Sequence, residues 1–179
     1  LLRLIAGELQ PQRGMITRHN SAKIGYFGQT NIERLNTENN VLQEIQNADP
    51  EGLPQRSRNI CGAMMFENDA ALKKISMLSG GERSRVMLGK ILVSPVNLLL
   101  LDEPSNHLDM ESCDSLMAAI DSFDGAVIII THNEMFLNTF ANRLIVFDRN
   151  TIKVFEGGYQ DFLRDIGWES DIQSETNNK

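Results

Sequence analysis

The sequence has few of the features that mark secreted or membrane proteins. It holds only two cysteines, Cys61 and Cys113, which stand far apart and outside any metal-ligand spacing. Without a disulfide framework or a signal-peptide pattern, a reduced, cytoplasmic protein is expected, with both thiols packed as small core residues. The longest apolar runs, 98–101 and 126–130, are far too short to cross a bilayer, so direct membrane insertion is not expected.

Positive charge is also scarce. Lys and Arg together number 17 against 24 Asp and Glu, which gives a formal net charge of −7. This balance argues against a segment that binds nucleic acid through phosphate charge alone, although basic parts of a longer protein could lie elsewhere. The 179 residues suffice for one domain with a real core, and a hydrophobic content of 41% is ordinary for a globular chain.

The beginning of the chain lacks a methionine and a helix cap. Leu1, Leu2, Ile5 and Leu9 nevertheless recur at helical spacing. We interpret this stretch as a helix entered partway along its length. The chain is therefore expected to be an N-terminally truncated piece of a longer protein.

The most informative stretch is 98–109, which reads LLLLDEPSNHLD. Four leucines run into Asp102 and Glu103, and Pro104 stops the run. Such a run fits a strand buried on both faces of a parallel sheet, and ligands collect just beyond the carboxyl ends of such strands. The two adjacent acids, called the acidic pair below, could hold a hydrated metal ion and activate a water there.

Three further features accompany the acidic pair. The sequence LSGGE at 78–82, called the signature turn below, has the spacing of a capping box, and its glycines at a helix start also suit an anion. His132 follows the apolar run 126–130, and Gln29 follows an early strand. Taken singly, each has a plainer interpretation: a flexible turn with a helix cap, a core histidine, or an ordinary loop residue.

The remaining pattern predicts alternating strands and helices, hence an α/β fold. Strands are predicted at 14–18, 23–27, 98–101, 126–130, 144–147 and 152–155. Helices are predicted at 1–9, from 41 until Asp49-Pro50 ends it, and at 79–94, 109–120, 133–140 and 159–166. Residues 30–40 are expected to form a loop, 51–77 are ambiguous with one candidate helix near 60–66, and the polar tail 169–179 is expected to be disordered.

In order and spacing, these motifs together resemble the ATP-binding-cassette (ABC) ATPase domain. The NHLD motif at 106–109 and the Gly-Gly-Tyr motif at 157–159 are typical of the ABC-F subfamily. The resemblance covers roughly 1–165. It implies an ABC-type P-loop NTPase core with a mainly parallel sheet, a small helical subdomain at about 41–94 and a short antiparallel β part, within a partial nucleotide-binding domain at 1–168.

The resemblance also implies the cofactors ATP and Mg²⁺ and a role for each motif. Asp102 would hold Mg²⁺ through water, and Gln29 would contact the metal ion and the attacking water. Glu103 would be the catalytic base in ATP hydrolysis. His132 would stabilise charge on the γ-phosphate.

A second group of residues is implied to meet a second ABC cassette. Ser79, Gly80 and Gly81, with Glu82 in the same turn, would contact ATP held by the opposite cassette. Asp109 would lie at the contact between the two cassettes. ABC-F proteins carry two cassettes in one chain and act on ribosomes, so the ribosome is the expected partner of the intact protein. The sequence IGYFGQ at 24–29 and the short polar tail favour assigning the chain to the second of the two cassettes.

One motif of the family is missing from the 179 residues. A P-loop, Gly-x-x-x-x-Gly-Lys-Ser/Thr, is expected immediately before Leu1. Gly89-Lys90 cannot replace it, because no second glycine stands five residues earlier. The chain alone is therefore expected to bind ATP poorly. Ser105 and Asn133 stand where the family usually has Thr and Asp, which leaves the proposed chemistry in place.

The sequence motifs are also compatible with two other functions. The ATPase subunit of an ABC membrane transporter shares every motif except the NHLD wording. A non-catalytic ABC-like interaction module would lack a P-loop by nature, although it would have no chemical need for Glu103 and His132.

Overall fold

A computed structural model of the chain describes residues 1–106, 108–148 and 151–166. The chain divides into two compact units, Leu1–Ile130 and Thr131–Lys179. The predicted disordered tail at 169–179 and His107 of the NHLD wording lie outside the described residues.

The described residues form eight α-helices and five β-strands. The α-helices are α1 (Leu2–Ala6), α2 (Gln29–Ile32), α3 (Val41–Gln46), α4 (Pro54–Ala63), α5 (Gly80–Val93), α6 (Met110–Asp121), α7 (Glu134–Phe140) and α8 (Tyr159–Asp165). The strands are β1 (Ile24–Phe27), β2 (Leu98–Asp102), β3 (Ala126–Ile130), β4 (Arg143–Asp148) and β5 (Thr151–Glu156). Two short 3₁₀ turns, Asn68–Leu72 and Ile75–Met77, precede α5.

The first unit is built on a three-stranded parallel sheet with β2 in the centre. Leu99, Leu100 and Leu101 of β2 are completely buried, which confirms the strand predicted from the leucine run. The register pairs Asp102 with Ile130, so β2 and β3 end at the same edge of the sheet. The fold is the predicted α/β type with a parallel sheet.

Helix α1 packs on this sheet. Leu2 is buried in one cluster with Tyr26 and Leu100. Gly7 ends the helix with a φ of 83°, in the left-handed region that favours glycine. The predicted first helix is thus confirmed, although it is shorter than the predicted 1–9.

Helices α3, α4 and α5 pack together between β1 and β2 in the chain order. A Cβ added at Gly89 of α5 would lie 3.0–3.1 Å from the side chains of Ile45, Ile60 and Met64, so the glycine permits the close approach of α3 and α4. The boundaries 41–94 predicted for a helical subdomain stay a prediction.

Three local predictions were wrong. Residues 14–18 form no strand, because Gly14 has a left-handed φ of 82° and Met15 is 86% exposed, so no apolar face is buried there. The loop predicted at 30–40 begins instead inside helix α2. The candidate helix at 60–66 ends at Ala63, and Met65 adopts a φ of 63° that no helix continues.

The second unit holds an antiparallel hairpin and two helices. Strands β4 and β5 pair from Arg143 opposite Glu156 to Asp148 opposite Thr151, which confirms the predicted hairpin. The predicted helices also form, as α7 and α8.

Candidate functional site

The acidic pair lies at the carboxyl end of the central strand. Asp102 is the last residue of β2, and Glu103 follows it with a φ of 48°. The Glu103 N–H donates a hydrogen bond to the Ile130 carbonyl, 2.8 Å away, which ties the turn to the end of β3. A left-handed non-glycine residue costs about 1–2 kcal/mol, and such strain clusters at functional sites.

Tyr26 holds the Asp102 carboxylate from the neighbouring strand. The buried Tyr26 hydroxyl donates a hydrogen bond to Asp102 Oδ2 at 3.2 Å. Burial, with the Asp102 charge second, raises the pKa of Tyr26 to about 12, so the phenol remains a donor at neutral pH.

Gly28 leaves room for this hydrogen bond. A Cβ at Gly28 would lie 2.5 Å from the Tyr26 hydroxyl oxygen, so a larger residue would collide with the phenol. Sequence reasoning missed Tyr26, although a residue with a polar tip in an apolar strand just before Gln29 was an available signal.

The donor set around Asp102 fits Mg²⁺ bound together with phosphates. Among the described residues, no three His, Cys, Asp or Glu side chains are grouped to hold a metal ion. Mg²⁺ commonly uses only one or two carboxylates, with waters and substrate phosphates as its other ligands. Tyr26 engages Asp102 Oδ2 and restrains the carboxylate whose other oxygen could bind a metal-bound water.

Removing the phenol should weaken metal-dependent activity. On the ATPase role that the family resemblance implies, we expect Tyr26→Phe in the intact protein, meaning the full natural protein that contains these residues, to raise the Mg²⁺ concentration for half-maximal activity about tenfold. The basis is that a hydrogen bond to a charged group contributes about 1.5–3 kcal/mol. A magnesium titration of phosphate release measures this, with Tyr159→Phe in the other unit as a control. An unchanged magnesium requirement would mean that Tyr26 only packs.

The signature turn forms the predicted capping box at the start of α5. Ser79 Oγ accepts a hydrogen bond from the Glu82 N–H at 3.3 Å, and Glu82 Oε2 accepts one from the Ser79 N–H at 2.8 Å. The second of these bonds is the main reason that the pKa of Glu82 is lowered. Nothing lies within 4 Å of a Cβ built on Gly80, so this position of the first turn faces open space. Glu82 serves the cap here, and contact of the turn with nucleotide stays a prediction.

Asp109 caps helix α6, as its position predicted. Its Oδ1 accepts a hydrogen bond from the Ser112 N–H at 2.8 Å, and hydrogen bonding by Ser112 lowers the pKa of the carboxyl group. The Asp109 side chain is 70% exposed and therefore accessible to another molecule.

Gln29 and His132 follow two strands of the sheet. Gln29 opens α2 and is separated from β1 only by Gly28, and His132 lies two residues beyond the end of β3, in the second unit. Asn133 next to it caps α7 by accepting a hydrogen bond from the Met135 N–H at 2.9 Å, a role that Asn and Asp fill equally well. The predicted roles of Gln29 and His132 in the chemistry stay predictions.

Known proteins share both the sequence pattern and the fold. The family model described as ABC transporter matches residues 1–106. The probable ATP-binding protein YbiT of Escherichia coli O157:H7 is 34% identical over 94% of the chain, and ATP-binding cassette sub-family F member 3 of Mus musculus is 34% identical over 90%. These matches span only 32% and 23% of the two relatives.

Solved structures agree with the sequence relatives. The RNase-L Inhibitor structure superposes with a TM-score of 0.74 over 98% of this chain and 39% of that chain, at 20% identity. A dimeric, ADP- and Pi-bound structure of the ATP-binding cassette MJ0796 gives 0.63 over 75% and 63%, also at 20% identity. At this identity the likeness concerns the fold alone.

The lengths and polarities of the helices bear on whether any of them could cross a membrane. Each helix among the described residues is too short or too polar to cross a bilayer.

The family model covers more than half of the chain, and the sequence relatives include ABC-F proteins. The chain therefore belongs to the ABC transporter family of ATP-binding cassettes and is similar to its ABC-F members.

Proposed function

We propose that the chain is part of an ATP-hydrolysing cassette of an ABC-F-like protein. The observation that carries this proposal is the acidic pair, at the end of a buried central strand in a chain of this family. Glu103 is held there in a strained conformation, and Asp102 is restrained by Tyr26. A protein that only needed a helix cap or a solvated turn would gain nothing from either feature.

In the proposed reaction, Glu103 takes a proton from the attacking water. The water oxygen then forms a bond to the γ-phosphorus of ATP, while the bond from that phosphorus to the bridging oxygen of ADP breaks. Asp102 would hold Mg²⁺ through water, and the metal ion supplies neutralising charge for the phosphates. Gln29 would orient the water, and His132 would donate a hydrogen bond to the γ-phosphate.

The other half of the proposed site comes from a second cassette. Ser79, Gly80 and Gly81 would contact ATP bound by that cassette, and Asp109 would lie at the contact. The exposed carboxylate of Asp109 and the open space beside Gly80 support this proposal. So does the dimeric state of the MJ0796 cassette structure, a fact about that protein.

A bulky cation in the signature turn should block cassette pairing. We expect Ser79→Arg in the intact protein to lower ATP turnover at least tenfold, because the side chain would occupy the space that the partner's nucleotide needs. Phosphate release and ATP-dependent closure, followed by a distance-sensitive fluorophore pair, measure the effect. Ser79→Asn retains a helix cap and serves as the control for loss of the cap alone. Normal ATP-dependent closure in Ser79→Arg would contradict the trans role.

The 179 residues alone are proposed to be inactive. They contain no Gly-x-x-x-x-Gly-Lys-Ser/Thr sequence, so no lysine and glycine loop would cradle the β- and γ-phosphates. Calorimetric titration with MgATP tests this: weak or absent binding is expected for the chain, and tight binding for a protein that joins it to a P-loop.

For the intact protein, we propose that ATP-driven closure is coupled to ribosome binding in the cytoplasm. The similarity to sub-family F member 3 supports this proposal. The alternative is the ATPase subunit of a membrane transporter. Sedimentation of the intact protein with purified ribosomes separates the two: ATP-dependent co-sedimentation supports the first, and its absence together with a transmembrane partner supports the second.

A further inference from the structure

Arg85 belongs to helix α5 but binds the beginning of helix α6. Its Nη1 donates a hydrogen bond to Ser112 Oγ at 2.5 Å and lies 4.0 Å from Asp109 Oδ2. The centre of its guanidinium group also lies 5.3 Å from the centroid of the Phe66 ring. One side chain therefore contacts α6, its cap and the turn that follows α4.

These contacts are too specific for ordinary packing. The Arg85 side chain is only 14% exposed, its Nε is buried without a hydrogen-bond partner, and Phe66 is buried beneath it. An apolar side chain of similar volume would fill such a space without the cost of desolvating a charge. The planar guanidinium group instead offers a fixed direction for its donors and stacks on an aromatic ring.

Arg85 and the α6 cap form one continuous network. Ser112 accepts from Arg85 through its hydroxyl oxygen and donates through its N–H to the Asp109 carboxylate. Asp109 is therefore hydrogen-bonded to its own helix and lies at ion-pair distance from Arg85 of α5. Helix α5 begins at Gly80 in the signature turn, five residues before Arg85.

From this network we infer that Arg85 is a positioning residue that locks the start of α6 to α5. The signature turn and Asp109 then meet a second cassette as one rigid surface, with their spacing set before contact. This inference rests on the proposed pairing of cassettes, and it adds a residue whose side chain acts through Ser112 and Asp109.

Enzyme kinetics of the intact protein test the consequence for turnover. Arg85→Gln should lower kcat for ATP hydrolysis about tenfold, the loss expected for a hydrogen bond to a charged group, while KM for ATP changes less than about twofold. Arg85→Lys should recover part of kcat, because it retains the charge. Ser112→Ala should add little to Arg85→Gln, since both remove the same link.

Amide hydrogen exchange tests the link itself without ATP. Arg85→Gln should speed exchange in the first turn of α6, residues 110–113, about tenfold. Arg83→Gln is the matched control, because Arg83 lies on the same helix and donates instead to the Ser76 carbonyl. If Arg85→Gln fails to fold, Ser112→Ala is used for both tests, since it deletes the hydroxyl that accepts from Arg85 and, besides that, only the 4.0 Å contact of this hydroxyl with Met65 Sδ.

The experiments distinguish failure of the Arg85 inference from failure of the proposed function. Additive effects of the two substitutions, or unchanged exchange at 110–113, would overturn the inference. If the wild-type intact protein hydrolyses no ATP, the proposed function fails, and the exchange measurement still decides whether Arg85 locks the two helices. Faster exchange with normal kcat would overturn the functional part, because the rigid surface would then have no consequence for turnover.

Discussion

Replacing Glu103 with glutamine should nearly abolish ATP turnover in the intact protein while ATP still binds. The amide has the shape of the carboxylate but cannot take a proton from the attacking water, so we expect kcat to fall about 10²–10⁴-fold. Glutamine can occupy the same left-handed backbone position as glutamate, and the substitution leaves the Tyr26–Asp102 hydrogen bond intact. Single-turnover phosphate release and equilibrium binding of labelled ATP measure the two halves of the prediction.

An exposed carboxylate outside the acidic pair provides the control for Glu103→Gln. Glu111 is exposed on the first turn of α6, and Glu111→Gln makes the same chemical change away from the acidic pair. Its kcat should stay within about twofold of wild type, since exposed substitutions of this kind have small effects. Near-normal turnover in Glu103→Gln would remove Glu103 from the role of base. Loss of ATP binding in that variant would instead indicate a role in holding nucleotide.

Replacing Lys90 with methionine should destabilise the first unit strongly. Lys90 Nζ lies 2.5 Å from Glu44 Oε1, and Asn39 donates to the other Glu44 oxygen at 2.7 Å. Glu44 is only 2% exposed, so the substitution leaves a buried carboxylate without its cation. Because Lys90 itself is one-third exposed, we expect a loss of about 2–3 kcal/mol in the free energy of unfolding, less than the roughly 3–5 kcal/mol of a fully buried pair.

Urea denaturation and thermal unfolding measure this loss, which should lower Tm by roughly 5–10 °C. Lys74→Met is the matched control, because Lys74 pairs with Glu38 at 3.6 Å and both side chains are more than half exposed. Its effect should stay below about 0.5 kcal/mol. Equal effects of the two substitutions would show that the Glu44–Lys90 pair does not hold α3 against α5.

The same pair predicts a dependence on pH. Burial disfavours the charged form of Glu44, but hydrogen bonds from Lys90 and Asn39 outweigh it and hold the pKa below the ordinary glutamate value. A lowered folded-state pKa stabilises the protein above the unfolded-state pKa, and this contribution is lost as the pH falls through the folded-state value. The difference in unfolding free energy between wild type and Lys90→Met should therefore be largest near neutral pH and shrink on acidification.

Sequence reasoning predicted the parts of this molecule that depend on local patterns. The leucine run before Asp102, the capping box at Ser79 and the cap at Asp109 are all encoded within a few residues. The hairpin of the second unit and the helices α7 and α8 follow the same rule.

The features that sequence reasoning missed depend on contacts between distant residues. Tyr26 and Asp102 are 76 residues apart in the chain, and Arg85 and Ser112 are 27 apart. No spacing rule connects such pairs before the topology places β1 beside β2. At 14–18 the error was of another kind, since an apolar pair beside a glycine looked like a strand although the chain buries no face there.

The left-handed conformation of Glu103 also has an evolutionary consequence. Glycine at this position would remove the backbone strain, a gain of up to about 1 kcal/mol, at the cost of the carboxylate. If the proposed hydrolysis were no longer needed in a lineage, selection for stability alone would favour glycine or asparagine at position 103. β-branched residues would be selected against at position 103 whatever the function, because they adopt a positive φ least readily. Retention of glutamate at position 103 in related proteins is therefore the expectation if Glu103 has the proposed role in hydrolysis.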